Sequence, residues 1–160
     1  MIFVVYLLSY GALAMFVSAL LLAAVADAKT RKIPNAVHFL LLIAGVLNIL
    51  TGGPTMHGIV SALLGMFLGG FPLFILALLR KTIGGGDVKL AASAGFALGW
   101  LGSYLALIAA LIGFVLFGLF HLPGKKEKDE ALPLPFAPFY AAAGIGVYLM
   151  FAVLRHSLIL

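Results

Sequence analysis

Between Ile2 and Ala26 the chain carries no charged residue. A backbone can cross a bilayer only if its polar groups are bonded internally, and an α-helix of about 20 apolar residues meets that condition. Segments of this character recur at 2–26, 36–52, 57–79, 88–101, 103–121 and 136–155. Only 9% of the 160 residues are charged, against about 25% in a soluble domain. That is too little polar surface to cover a water-soluble globule. The expected fold class is therefore all-α: a polytopic membrane helix bundle of about six transmembrane helices, folded as a single domain over residues 1–160. The fourth segment is short, and the break after it, "GWLGS", is minimal. Gly65 and Gly69, like Gly95 and Gly99, have the small-xxx-small spacing that lets helix backbones approach closely in lipid.

The basic residues fix an expected orientation. Lys29, Arg31 and Lys32 lie between the first two segments, and Arg80, Lys81 and Lys89 fall around the start of the fourth. Lys125, Lys126 and Lys128 lie in the loop "GKKEKDE", whose mixed signs mark a solvated connection. The alternate loops "TGGPTMH" and "GWLGS" have no Lys or Arg. With six spans, nine of the ten basic residues share one side, and only Arg155 falls on the other. The positive-inside rule then makes the charged loops cytoplasmic and leaves both termini outside. The net charge of +5 is explained this way, and nucleic acid is not expected as a partner. The stretch "ALLLAAVADAKT" has small residues like a signal-peptide cleavage region. It lacks a basic n-region, and its apolar run exceeds the usual h-region of about 7–15 residues, so it reads as a retained helix.

The chain has no cysteine, which excludes disulfides and thiolate metal sites. His38, His57, His121 and His156 are scattered, so no metal or other cofactor is expected. Ser157 adjoins His156, but at the far terminus and with no acid to orient the imidazole. Of the five acidic residues, Glu127, Asp129 and Glu130 sit in the solvated loop. Asp27 and Asp87 remain, each at the edge of an apolar segment and both on the expected cytoplasmic side.

An ion pair with Lys29, Arg31 or Lys89 would account for each of these acids. The setting of Asp87 points further. It follows Gly84, Gly85 and Gly86, and glycine permits positive φ and close approach of another chain. A salt bridge needs neither. The stretch does not match a phosphate-binding loop, which requires G-x-x-x-x-G-K-[ST]. After Asp27, Pro34 biases Ile33 away from helical angles. Asn35 is a plausible N-cap for the second helix, although Ile33-Pro34-Asn35 is equally well read as an ordinary helix start.

Two carboxyl groups brought together share a proton. The ionised one can take a proton from water while the protonated one polarises a carbonyl. That is peptide hydrolysis without metal or covalent intermediate. From helix dipoles alone, Asp87 before a helix is expected to carry the charge. Asp27, at a helix C-terminus, is expected to carry the proton.

"D-x-K-x-R-K-I-P-N" after the first helix, "G-G-G-D-V-K-L" about sixty residues later and "LPLPFAPFYAAAG" before the last helix resemble the prepilin leader peptidases of type IV pilus systems. These are polytopic aspartyl proteases of the G-x-G-D class. The resemblance implies Asp27 and Asp87 as the catalytic pair, with Gly84 and Gly86 as the motif glycines. Lys29 and Lys89, with Pro34 and Asn35, are then supporting or substrate-binding candidates. It implies cleavage of a short basic leader from prepilins or pseudopilins at the cytoplasmic face of the inner membrane, just before the pilin's hydrophobic helix. Bifunctional members also carry a cysteine-bearing cytoplasmic domain and N-methylate the new terminus. This chain resembles the short, peptidase-only forms, such as those of Tad/Flp or archaeal flagellin-type systems, so no soluble methyltransferase domain and no methylation are expected. The presenilin group shares G-x-G-D, but there a Tyr precedes the first Asp and a Pro-Ala-Leu segment follows. Here Ala26 precedes Asp27 and Pro-Ala-Leu is absent. The non-enzymatic alternative is a proton-coupled transporter or channel subunit using the acid pair, since intramembrane acids also mark ion paths. Acids near the midplane would favour that reading.

Overall fold

The computed structural model describes residues 2–52, 55–79, 83–121 and 135–157. Every regular element among them is an α-helix. These are α1 (Ile2–Thr30), α2 (Asn35–Thr51), α3 (Met56–Leu79), α4 (Gly85–His121) and α5 (Ala137–Ser157). Four of the five are long and apolar enough to cross a membrane, and α2 is a shorter apolar helix. Large apolar side chains such as Leu7, Phe39, Phe67, Leu79 and Leu119 lie exposed on the outside of the bundle. In water such a surface would aggregate, whereas in lipid it is ordinary. Arg80, Lys81, the "GKKEKDE" loop and Leu132 to Leu134 of the Pro-rich stretch lie outside the described residues.

α4 shows what the minimal break is. The segments expected at 88–101 and 103–121 correspond to two helical limbs that meet at Gly99. Gly99 inside it has φ 72° and ψ 179°, a conformation essentially reserved for glycine. The Ser103 hydroxyl oxygen lies 2.7 Å from where a Cβ on Gly95 would stand. In an uninterrupted helix, residues eight apart are separated by about 12 Å. α4 therefore folds back on itself at Gly99, with one limb before it (85–98) and one after (100–121). Ser61 stabilises the reversal by accepting the Trp100 N–H at 3.4 Å.

α3 packs against this hairpin through glycine. A Cβ on Gly65 would overlap the Gly95 carbonyl, one on Gly95 would overlap the Gly65 carbonyl, and one on Gly69 would overlap the Ala91 carbonyl. Ser103 on the returning limb donates to the Gly65 carbonyl at 2.8 Å, adding a polar link between closely packed helices. Phe16 and Leu20 of α1, Leu41 of α2, Leu73 of α3, Leu90 of α4 and Tyr140 of α5 are fully buried at the centre. Phe16 stacks on Tyr148 with ring centroids 4.6 Å apart. Asn48 of α2 donates to the Ala97 carbonyl at 3.1 Å and accepts the Tyr148 hydroxyl at 2.7 Å. It thereby ties α2 to both α4 and α5. Polar groups buried in a lipid-surrounded core are bonded to one another because no water replaces the lost partner.

Two local expectations are corrected. α1 continues one turn past Ala26, through Asp27 and Lys29 to Thr30. It ends where Arg31 turns into the left-handed region at φ 55°, with its N–H on the Asp27 carbonyl at 3.0 Å. Asn35 is not the N-cap of α2 but its first helical residue. Pro34 holds the cap position, extended at φ −62° and ψ 140° with no side-chain cap bond, and its carbonyl accepts the Val37 N–H.

Candidate functional site

The two isolated acids arrive at one place. Asp27, in the last turn of α1, and Asp87, in the first turn of α4, line a single cavity of about 390 Å³ at one end of the bundle. The two carboxyls are close enough to interact electrostatically, and Asp87 also senses Arg31. Among the described residues no cluster of ligands suited to a metal ion is present.

Each carboxylate is held by a backbone N–H. Gly84 caps α4: its carbonyl accepts the Asp87 N–H at 3.0 Å, and its own N–H donates to Asp87 Oδ2 at 3.2 Å. The Asp87 side chain thus makes the third-residue half of a capping box, bonding back to the cap N–H, which holds it over the start of the helix. The other oxygen of Asp87, Oδ1, is buried with no hydrogen-bond partner among the described residues. Asp27 is 7% exposed, and its Oδ2 accepts the N–H of Ala137 at 3.2 Å, across 110 residues. Ala137 is the first residue of α5 and belongs to the Pro135-Phe136-Ala137-Pro138 segment.

The three glycines before Asp87 all line the cavity. None of them adopts positive φ, contrary to expectation. Their role in the geometry is openness. A Cβ on Gly85 would meet nothing within 4 Å, and one on Gly84 would make ordinary contacts with the Asp87 carboxylate at 3.5 Å and the Gly86 nitrogen at 3.9 Å. One on Gly86 would touch the Ile33 side chain at 3.6 Å, an ordinary contact through which the α1–α2 turn seats against α4. Backbone is thus exposed to the cavity beside a carboxylate.

Of the supporting residues expected from sequence, Asn35 and Lys89 line the cavity, and Pro34 and Lys29 do not. Lys29 is exposed. Because α1 continues to Thr30, residues 27 and 29 point to different sides of the helix. Arg31 and Lys32 line the cavity in its place, reached by the turn that begins at the Arg31 kink. Ile33 and His38 also line it and were missed as site residues. His38 stands one turn beyond Asn35 on α2, a spacing that signals a shared face once the helix start is known. Its Nδ1 lies 3.5 Å from the Ser93 hydroxyl.

A buried and a half-buried acid, exposed backbone and a cationic rim of Arg31, Lys32 and Lys89 can bind a peptide, hold a water and move protons at its carbonyl. Comparison with known proteins agrees with the motifs. The model of the Type IV leader peptidase family matches residues 14–122, a stretch that contains both acids. The chain is 35% identical over 143 residues to the prepilin leader peptidase/N-methyltransferase of Pectobacterium carotovorum subsp. carotovorum, covering 85% of this chain and 50% of that protein. It is 36% identical over 141 residues to the protein of the same name from Bacillus subtilis (strain 168), covering 84% and 53%. The Burkholderia pseudomallei (strain 1026b) protein of that name is 34% identical over 132 residues, covering 79% and 42%. The chain spans about half the length of the curated relatives it matches. No solved structure matches it. With the family model covering both acid motifs and these relatives aligned over most of its length, the chain belongs to the type IV leader peptidase family.

Proposed function

We propose that this chain is a membrane-embedded aspartic endopeptidase that removes the short basic leader from prepilins or pseudopilins at the cytoplasmic face of the inner membrane. The observation that carries the reading is the shared cavity of Asp27 and Asp87. The names of the relatives, prepilin leader peptidase/N-methyltransferases, support the choice of substrate. Methyl transfer is not part of the proposal.

In the proposed reaction one acid is ionised and the other protonated. The ionised carboxylate takes a proton from a water, and the water oxygen bonds to the scissile carbonyl carbon. The protonated acid gives its proton to the carbonyl oxygen, forming a tetrahedral diol. The C–N bond then breaks as the amine nitrogen takes the first proton from its carboxyl and a diol hydroxyl returns a proton to the other acid. Atoms and charge balance, and the pair ends with one proton between them. The exposed backbone of Gly84 to Gly86 is the surface along which an extended substrate would lie.

The topology belongs to the same proposal: six crossings, with each limb of α4 counted as one, and both termini outside. A cysteine-free chain makes this directly measurable. A single cysteine at Lys32 is expected to label only from the cytoplasmic side, and one at Thr55 only from the outside. Labelling of both from one side ends the six-crossing assignment.

The activity is tested with purified protein in liposomes and a prepilin substrate. Asp27→Asn and Asp87→Asn, with melting unchanged, are each expected to lose about 10²–10⁴-fold in cleavage rate, the usual worth of an acid–base group. Wild-type cleavage by either variant excludes the mechanism.

A further inference from the structure

The first turn of a helix has N–H groups with no partner inside the helix. In α5 those groups are nearly all accounted for locally. Phe139 and Tyr140 donate back to the Phe136 carbonyl at 3.1 and 3.2 Å. Pro138 has no N–H to offer. Ala137, fully buried, is left with one donor, and it goes to Asp27 Oδ2. The Pro-Phe-Ala-Pro segment is thus built so that the start of α5 presents a single N–H, and a candidate catalytic carboxylate takes it.

This changes the electrostatic reading of the pair. Asp27 ends α1, where the helix dipole opposes negative charge, but it also sits on the N-terminus of α5, where the dipole favours it. A buried N–H donor serves a charged oxygen better than a neutral one. Asp87 also takes one N–H, from Gly84, but its Oδ1 is buried with no partner among the described residues. A bare charged oxygen is poorly placed there, and an O–H aimed at an incoming carbonyl is well placed.

We propose that the backbone N–H of Ala137 is a positioning group for hydrolysis: it holds Asp27 as the ionised, water-activating carboxylate, leaving Asp87 to hold the proton. This rests on the peptidase reading and reverses the assignment expected from α1 and α4 alone. By tying Oδ2, the N–H fixes the carboxylate plane and leaves Oδ1 for the water.

The test replaces one amide with an ester, which deletes an N–H and keeps every side chain. In the full chain, reconstituted in liposomes, an ester at the Phe136–Ala137 linkage is compared with one at Pro138–Phe139. The second removes the Phe139 N–H, a donor in the same helical turn that never touches Asp27. The first ester is expected to lower kcat by roughly tenfold to a hundredfold, the worth of a hydrogen bond to a charged group, with KM held within about twofold. The second is expected to leave kcat within about twofold. Infrared difference spectra against Asp27→Asn and Asp87→Asn give an independent readout. They should assign the carboxylate band at neutral pH to Asp27 and the protonated carboxyl band to Asp87, with the Asp27 band shifting only in the first ester. Equal loss of kcat in both esters, a protonated band on Asp27, or an unshifted Asp27 band overturns the proposal. A wild-type protein that cleaves no prepilin overturns the peptidase reading instead, while the infrared bands still decide how Asp27 is held.

Discussion

Glycine appears at both ends of this bundle for opposite reasons. Where α3 meets the α4 hairpin, Gly65, Gly69 and Gly95 stand where a single added carbon would strike a neighbouring backbone. At the acid end, Gly84, Gly85 and Gly86 stand where an added carbon would meet no backbone of another helix. The first group removes space so that two helices can touch. The second leaves space so that something else can enter. The same residue type therefore marks a seam in one region and a cavity wall in the other, and only its surroundings tell the two apart.

The largest effect expected from breaking this contrast is at the seam. Gly65→Ala and Gly95→Ala should each destabilise the protein by about 1–3 kcal/mol, because backbone must move to admit the methyl group. Reversible unfolding in detergent measures it, and an unchanged midpoint would mean the helices are less closely apposed than described. Gly99→Ala is expected to cost a similar or slightly smaller amount, about 1–3 kcal/mol, from a backbone conformation that alanine resists. Its diagnostic is loss of the Trp100–Ser61 contact, seen as altered tryptophan emission from the chain's single tryptophan.

At the acid end the sign reverses. Gly85→Ala should leave the fold intact or stabilise it by about 0.4–1 kcal/mol, since alanine restricts the unfolded chain and suits a helix start. Its effect should instead fall on catalysis, with kcat/KM reduced by about tenfold if substrate backbone lies against that surface. Unchanged kcat/KM would show that the substrate runs elsewhere. The smallest effect is reserved for Lys29→Ala, at an exposed position outside the cavity. Stability should stay within about 0.5 kcal/mol and cleavage should be unaltered. A marked loss there would move Lys29 back into the site.

Much of this is legible in the sequence. The helical class follows from runs of apolar residues, and the two acids stand out because so few charges exist. The end of α1 was misjudged by one turn because apolar counting stops at Ala26, whereas the helix continues through Asp27 until Arg31 reverses its φ. Lys29 enters the expected site through the resemblance alone, and the extra turn sets it outside the cavity that Arg31 and Lys32 line. The bond between Ala137 and Asp27 had no local signature, since helix starts do not announce partners 110 residues away. The reversal of α4 was visible only as "GWLGS". A lone glycine in an apolar run is as consistent with packing as with a turn.

Gly99 decides a matter of parity. A straight α4 of 37 residues would run about 55 Å and release the chain at the pole opposite Asp87. α5 would then begin near both acids only if the connecting segment ran back, almost fully extended, along the whole bundle. One residue able to double the chain back sends the last helix off from the same pole as the acid pair.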